Sequence, residues 1–202
     1  MPQSPHSCQR ILRWDGTSYH LTTCSPFIHR STINPANPMV FYLLPLTKSV
    51  TLKSEFKAEN IIVFQSAKLD LTPSTGSGID NTAVNILDAA GDYLLHISIR
   101  RAQNAIVLNS KTAGGAWGTE ERVTLEGRFV DDGLNTTIAV YDHGDRYQVL
   151  IDYKTIHYYN KRILENGSAV SYTINADQVS PFSDTLAVTT YEAFANIVPN
   201  GA

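Results

Sequence analysis

From residue 39 onward, apolar and polar residues alternate in short runs that break at Gly, Asp, Asn or Ser about every 8 to 15 positions. A period of two over five to eight residues is the mark of a half-buried β-strand, because successive side chains leave an extended backbone on opposite faces. The pattern predicts ten strands: 40–44, 61–66, 83–87, 93–100, 105–109, 137–141, 146–151, 155–160, 169–174 and 185–191. No window of 12 or more residues carries a helical apolar stripe. Turn chemistry falls between the runs at Ser74 to Gly78, at Asp131-Asp132-Gly133 and at Asp142-His143-Gly144-Asp145. So many antiparallel strands bury their apolar faces only if two sheets stack. The expected fold is therefore all-β, a two-sheet antiparallel sandwich of jelly-roll type.

The run from Tyr93 to Arg100 holds the first chemical signal. Strict alternation sends Tyr93, Leu95, Ile97 and Ile99 to one face and Leu94, His96, Ser98 and Arg100 to the other. The next run sends Ile106 and Leu108 to the core and Ala105, Val107 and Asn109 outward. If the two pair as neighbours, His96, Ser98, Arg100 and Asn109 share one polar surface, with Val107 as a spacer that shapes it. The loop Gly114-Gly115-Ala116 then delivers Trp117, with Gly118 behind it. Glu120 and Arg122, two apart, share a face from which Glu121 is turned away.

Composition narrows the classes of partner. Sixteen basic against 19 acidic residues, net −3, exclude a generic polyanion binder, so nucleic acid is not an expected partner. No apolar run approaches the ~18 residues of a membrane span, and no membrane insertion is expected. Residues 1–38 hold five of the nine prolines and both cysteines, Cys8 and Cys24, and carry three arginines against one aspartate. Residues 39–202 carry 13 basic and 18 acidic residues. The division is thus an N-terminal extension, 1–38, read as a disordered tail, and a folded domain, 39–202. The tail lacks an apolar signal-peptide core, since Ile11-Leu12 is flanked by Arg10 and Arg13; cytoplasmic synthesis without a signal peptide is the expectation. With no cysteine beyond residue 38 and no carboxylate pair at ligand spacing near His143 or His157, no metal site and no cofactor are expected.

The polar surface matches what a sugar requires. A pyranose offers hydroxyls that donate and accept together with one flat patch of C–H groups. Trp117 would supply an apolar platform for that patch. His96, Arg100, Asn109, Glu120 and Arg122 would supply fixed donors and acceptors, where each unpaired buried group costs roughly 1–3 kcal/mol. That cost lets a site built around an axial hydroxyl reject the equatorial epimer. Any one of these residues alone is most simply a solvated or structural side chain. Seven in one order and parity, Ser98 included, point to a glycan site.

The same stretch resembles the galectin signature, H-x-N-P-R, V-x-N and W-G-x-E-x-R, in His96-Ile97-Ser98-Ile99-Arg100, Val107-Leu108-Asn109 and Trp117-Gly118-Thr119-Glu120-Glu121-Arg122. Mushroom galectins are closest in pattern, and the similarity runs over most of residues 39–194. The resemblance implies a galectin/concanavalin-like sandwich that binds β-galactosides such as lactose-type disaccharides. By position, His96 and Arg100 would contact the axial 4-hydroxyl of galactose, and Asn109 and Glu120 its 6-hydroxymethyl. Trp117 would stack on the sugar, and Arg122, with Glu120 and Arg100, would reach the neighbouring residue. Ser98 and Ile99 depart from the Asn and Pro of many animal members. Because Ser98 is shorter, its contact to the 4-hydroxyl is expected through water or not at all.

Two other classes compete. A jelly-roll glycoside hydrolase needs two carboxylates flanking the scissile bond, whereas Glu120 and Glu121 are adjacent and face opposite ways, so no catalytic residues are assigned. A structural assembly module with a vestigial groove would show no glycan retention. The lectin reading also implies a homo-oligomer, dimer or tetramer, because weak single sites gain from valency. The resemblance further implies binding of galactosides on foreign or self surfaces, in defence against fungus-eating animals, with release or unconventional export to the extracellular space or cell wall.

Overall fold

Alternating apolar runs form the two layers of a sandwich. The computed structural model describes residues 11–14, 19–22, 40–76, 78–130 and 135–192. In chain order the strands are β1 (Ile11–Trp14), β2 (Tyr19–Thr22), β3 (Val40–Pro45), β4 (Lys48–Phe56), β5 (Ile61–Ser66), β6 (Thr82–Leu87) and β7 (Tyr93–Arg100). A single 3₁₀ turn, Arg101–Gln103, leads to β8 (Ala105–Lys111), and β9 (Glu121–Thr124), β10 (Thr136–Asp142) and β11 (Arg146–Ile151) follow. The series closes with β12 (Lys154–Asn160), β13 (Gly167–Ile174) and β14 (Thr185–Tyr191). One six-stranded sheet has the order β12-β11-β10-β5-β14-β3, the other β4-β13-β6-β7-β8-β9, and every pairing is antiparallel.

The core lies between the sheets. Ile62, Phe64, Ile138, Val140, Val149, Ile151 and Val188 from one sheet meet Val84, Ile86, Leu95, Ile97, Ile99, Ile106 and Leu108 from the other. The hairpin at Asp142 to Asp145 forms as its composition predicts: Gly144 takes φ +94°, and its N–H donates to Asp142 Oδ1 at 2.7 Å. That conformation favours glycine because it has no Cβ to clash.

All ten predicted strands are present, several of them extended by a few residues. Two others, β4 and β9, escape the alternation test. They are the two edges of one sheet; β4 is mostly exposed and the four-residue β9 has no fully buried side chain, so both leave little apolar signal to read. Within the N-terminal extension the described residues are the short antiparallel pair β1 and β2. The rest of that tail, both cysteines and the turn at Asp131-Asp132-Gly133 lie outside the described residues.

One face assignment is corrected. A bulge interrupts the pairing of β7 with β8, so that Tyr93 opposes Lys111 while His96 opposes Asn109. Leu94 and Leu95, the extra residue and its neighbour, are both buried in the core. Tyr93 therefore turns to the His96 face, where its ring meets Trp117, and Leu94 leaves it. Strict alternation fails at this point because a bulge adds one residue to one strand only, shifting the parity of everything before it.

Candidate functional site

The outer face of the β6-β7-β8-β9 region carries the predicted residues in rows set by strand register. Asn85, His96 and Asn109 stand side by side across β6, β7 and β8, and Ala83, Ser98, Val107 and Arg122 form the next row across to β9. Trp117 arrives on the loop after β8, whose reversal uses Gly114 at φ +72° and a bond from Gly115 N–H to Thr112 O. Its ring centroid lies 4.6 Å from that of His96 and 5.3 Å from that of Tyr93, with Lys111 Nζ 4.8 Å from its centre. The indole nevertheless keeps 44% of its surface exposed, the property a stacking platform needs.

His96 is buried, and Nδ1 lies 2.5 Å from Asn85 Oδ1. The Asn85 amide nitrogen donates to Ser171 Oγ at 2.9 Å and to Thr173 Oγ1 at 3.3 Å, and because the Thr173 hydroxyl gives its own proton to Ala83 O, the Asn85 oxygen is the acceptor toward His96. Nδ1 therefore carries the proton, and Nε2 is left with its lone pair. Burial, aided by the positive charge of Arg100, lowers the His96 pKa from its usual 6.5 to about 4. The ring is thus neutral near pH 7 and offers an acceptor.

Glu120 sits between two guanidinium groups. Arg100 Nη2 donates to Oε1 at 2.7 Å, and Arg122 Nε and Nη2 donate to Oε2 at 2.9 and 2.5 Å. Burial pulls its pKa upward, but the hydrogen bonds and charges of Arg122 and Arg100 outweigh this and hold it below the ordinary glutamate value. Glu120 is an ionised acceptor, and Arg100 and Arg122 are oriented donors. Arg122 Nη1 also reaches Gln103 Oε1 at 3.2 Å.

Asn109 is fixed by backbone on both sides: Nδ2 donates to Gly118 O at 2.8 Å, and Oδ1 accepts from Ser110 N–H at 2.9 Å. Ser98 has no exposed surface; its hydroxyl donates to Asn81 Oδ1 and accepts from Arg100 Nε at 3.2 Å. Val107 is likewise fully covered and underlies the surface. All seven predicted residues thus converge on one face, with Ser98 wholly covered beneath it.

A family model described as galactoside-binding lectin matches residues 48–179, which include the whole of this face. The chain belongs to the galactoside-binding lectin family. This lectin is 45% identical to a galectin-1 of Coprinopsis cinerea over 134 residues, covering 66% of this chain and 84% of the relative. It is 41% identical to galectin-2 of the same organism over 74% of this chain and 92% of the relative. An anti-tumor lectin of Cyclocybe aegerita is 35% identical over 76% and 97%. The same fold occurs in a Caenorhabditis elegans galectin, with a TM-score of 0.53, 14% identity and coverage of 75% and 94%. A toad ovary galectin in complex with thio-digalactose aligns with a TM-score of 0.52, 19% identity and coverage of 71% and 96%.

In this lectin several participants escape a sequence reading. Tyr93 reaches the indole only because of the bulge, whereas Lys111 shares the outward parity of Asn109 two residues before it. Asn85 and Asn81, which orient His96 and Ser98, precede them on β6 and in the segment leading into it, and no local motif marks them. Glu121, turned away from Glu120 as its parity requires, bonds His157 Nε2 at 2.7 Å and Arg162 Nη2 at 2.9 Å from the region of β12. His157 could not be placed from sequence because its partner belongs to the other sheet.

Proposed function

We propose that this face binds the terminal galactose of β-galactosides such as lactose-type disaccharides. The observation that carries the reading is an exposed indole beside one neutral imidazole acceptor and one ionised carboxylate held between two arginines. In this reading the axial 4-hydroxyl donates to His96 Nε2 and accepts from Arg100. The 6-hydroxyl accepts from Asn109 and donates to Glu120. Trp117 stacks on the C–H face, and Arg122, with Glu120 and Arg100, extends toward the adjoining sugar. Ser98 acts behind the groove by holding Arg100. An equatorial 4-hydroxyl would leave His96 and Arg100 unpaired, which is the basis for preferring galactose over glucose.

The protein acts by binding and not by turnover. Glu120 is committed as an acceptor and Glu121 is engaged on the other side, so the two do not flank one bond. Its folded domain spans residues 39–202, and its carbohydrate partners are glycans and glycoconjugates. Exposed Phe41 and Leu43 on the edge strand β3 support self-association into a dimer or tetramer that presents several grooves at once. Multivalent binding of galactosides on the surfaces of fungus-eating animals is the proposed use. The protein would reach them after cytoplasmic synthesis, by release or unconventional export to the extracellular space or cell wall. Among the described residues no helix is long and apolar enough to cross a membrane.

Retention on lactose-agarose with elution by lactose tests the reading. Absence of retention in the wild type would favour an assembly module with a vestigial groove.

A further inference from the structure

We propose that Arg162 is a positioning residue of this groove, one that turns Asn109 into a one-way hydrogen-bond donor. Arg162 follows β12, the edge strand of the opposite sheet, yet its guanidinium reaches the sheet that carries the site. Nη1 donates to Asn109 Oδ1 at 3.0 Å, and Nη2 donates to Glu121 Oε1 at 2.9 Å. Its Cζ lies 5.0 Å from the ring centre of Tyr159, whose hydroxyl donates to Ser110 Oγ at 2.9 Å. Two consecutive residues of β8, Asn109 and Ser110, are thus gripped from β12 and the residues just after it.

The consequence follows from counting lone pairs and protons. An amide oxygen accepts two hydrogen bonds and an amide nitrogen donates two. Asn109 Oδ1 takes one bond from Ser110 N–H and one from Arg162, and Nδ2 gives one to Gly118 O. One N–H remains, with no acceptor capacity beside it. A sugar hydroxyl at Asn109 therefore accepts there and directs its own proton elsewhere, and ionised Glu120 is the acceptor within this site. The cation on Oδ1 also polarises the amide and strengthens that remaining donor.

Gly118 makes room for this arrangement. A Cβ at position 118 would stand 2.6 Å from Arg162 Nη1 and 3.1 Å from Asn109 Oδ1. The glycine after Trp117 keeps open the passage through which the guanidinium reaches the amide.

The inference rests on the proposed contact between Asn109 and the galactose 6-hydroxyl, so the test uses that group. Arg162→Met and Gly118→Ala are compared with wild type by calorimetric titration with lactose and with lactose lacking the 6-hydroxyl of its galactose. Each variant is expected to bind lactose roughly threefold to tenfold more weakly, the range for one neutral hydrogen bond, while its affinity for the deoxy sugar stays within about twofold of wild type. Equal losses for both sugars, or no loss for lactose, would overturn the role of Arg162. Wild type that fails to bind lactose would instead overturn the reading of the groove. Gly118→Ala keeps every charge, so it decides the matter should Arg162→Met fold poorly.

Discussion

His96 Nδ1 lies 2.5 Å from Asn85 Oδ1, and that contact selects the tautomer the groove presents. A buried imidazole held this way behaves as a fixed acceptor, and its low pKa keeps it so in mild acid.

Lactose affinity is therefore expected to stay level from pH 7 down to about 5 and to fall as His96 protonates near pH 4. An ordinary histidine would produce the fall near 6.5. Folding stability has the same sign: between about 6.5 and 4 the unfolded chain binds a proton at this residue that the folded chain refuses, so stability declines as pH drops through that window. Calorimetric titration and thermal melts across pH 3.5–7.5 (about half-unit steps) check both. A midpoint for binding near 6.5 would refute the buried neutral imidazole.

Trp117→Ala and Arg100→Ala should each abolish retention on lactose-agarose while leaving the far-ultraviolet spectrum unchanged, because both side chains lie on the outer face and outside the core. Loss of the indole platform is expected to weaken binding by at least about tenfold, equivalent to ~1.4 kcal/mol. Retention by both variants would put the sugar elsewhere.

Glu120→Gln should weaken lactose binding, because the amide would present an N–H toward donors already in place. No product should form from a chromogenic galactoside with either the wild type or this variant. Turnover in the wild type that vanishes in Glu120→Gln would establish hydrolysis instead.

The bulge makes its own prediction about two adjacent residues. Leu94→Ala should cost about 2–5 kcal/mol in chemical denaturation, as expected for a buried leucine. Tyr93→Ala should cost less than Leu94→Ala and should lower lactose affinity through the loosened indole. The opposite ranking would restore strict alternation along β7.

Arg100 and Arg101 show how far a linear reading reaches. They are neighbours of one type, and parity assigned Arg100 to the groove. Arg101 instead turns inward onto Asp80, with Nε and Nη2 at 3.0 and 2.8 Å from its carboxylate oxygens, in a buried pair that ties the 3₁₀ turn to the segment before β6. Nothing local marks Asp80 as its partner, because the contact depends on how distant segments pack.

The amino-acid order alone decided the sandwich, the ten alternating strands, and the shared face of the candidate residues from His96 to Arg122, since period-two alternation and short motif spacing are properties of a single strand or a neighbouring pair. It could not reveal β4 and β9, edge strands whose side chains offer little hydrophobic contrast, nor the parity shift at Leu94, which exists only when β7 is laid against β8. The tautomer of His96 and the one-way character of Asn109 arose only in three dimensions. Asn85 comes from another strand and Arg162 from the segment after β12, and a hydrogen bond forms where chain folding brings the atoms within reach.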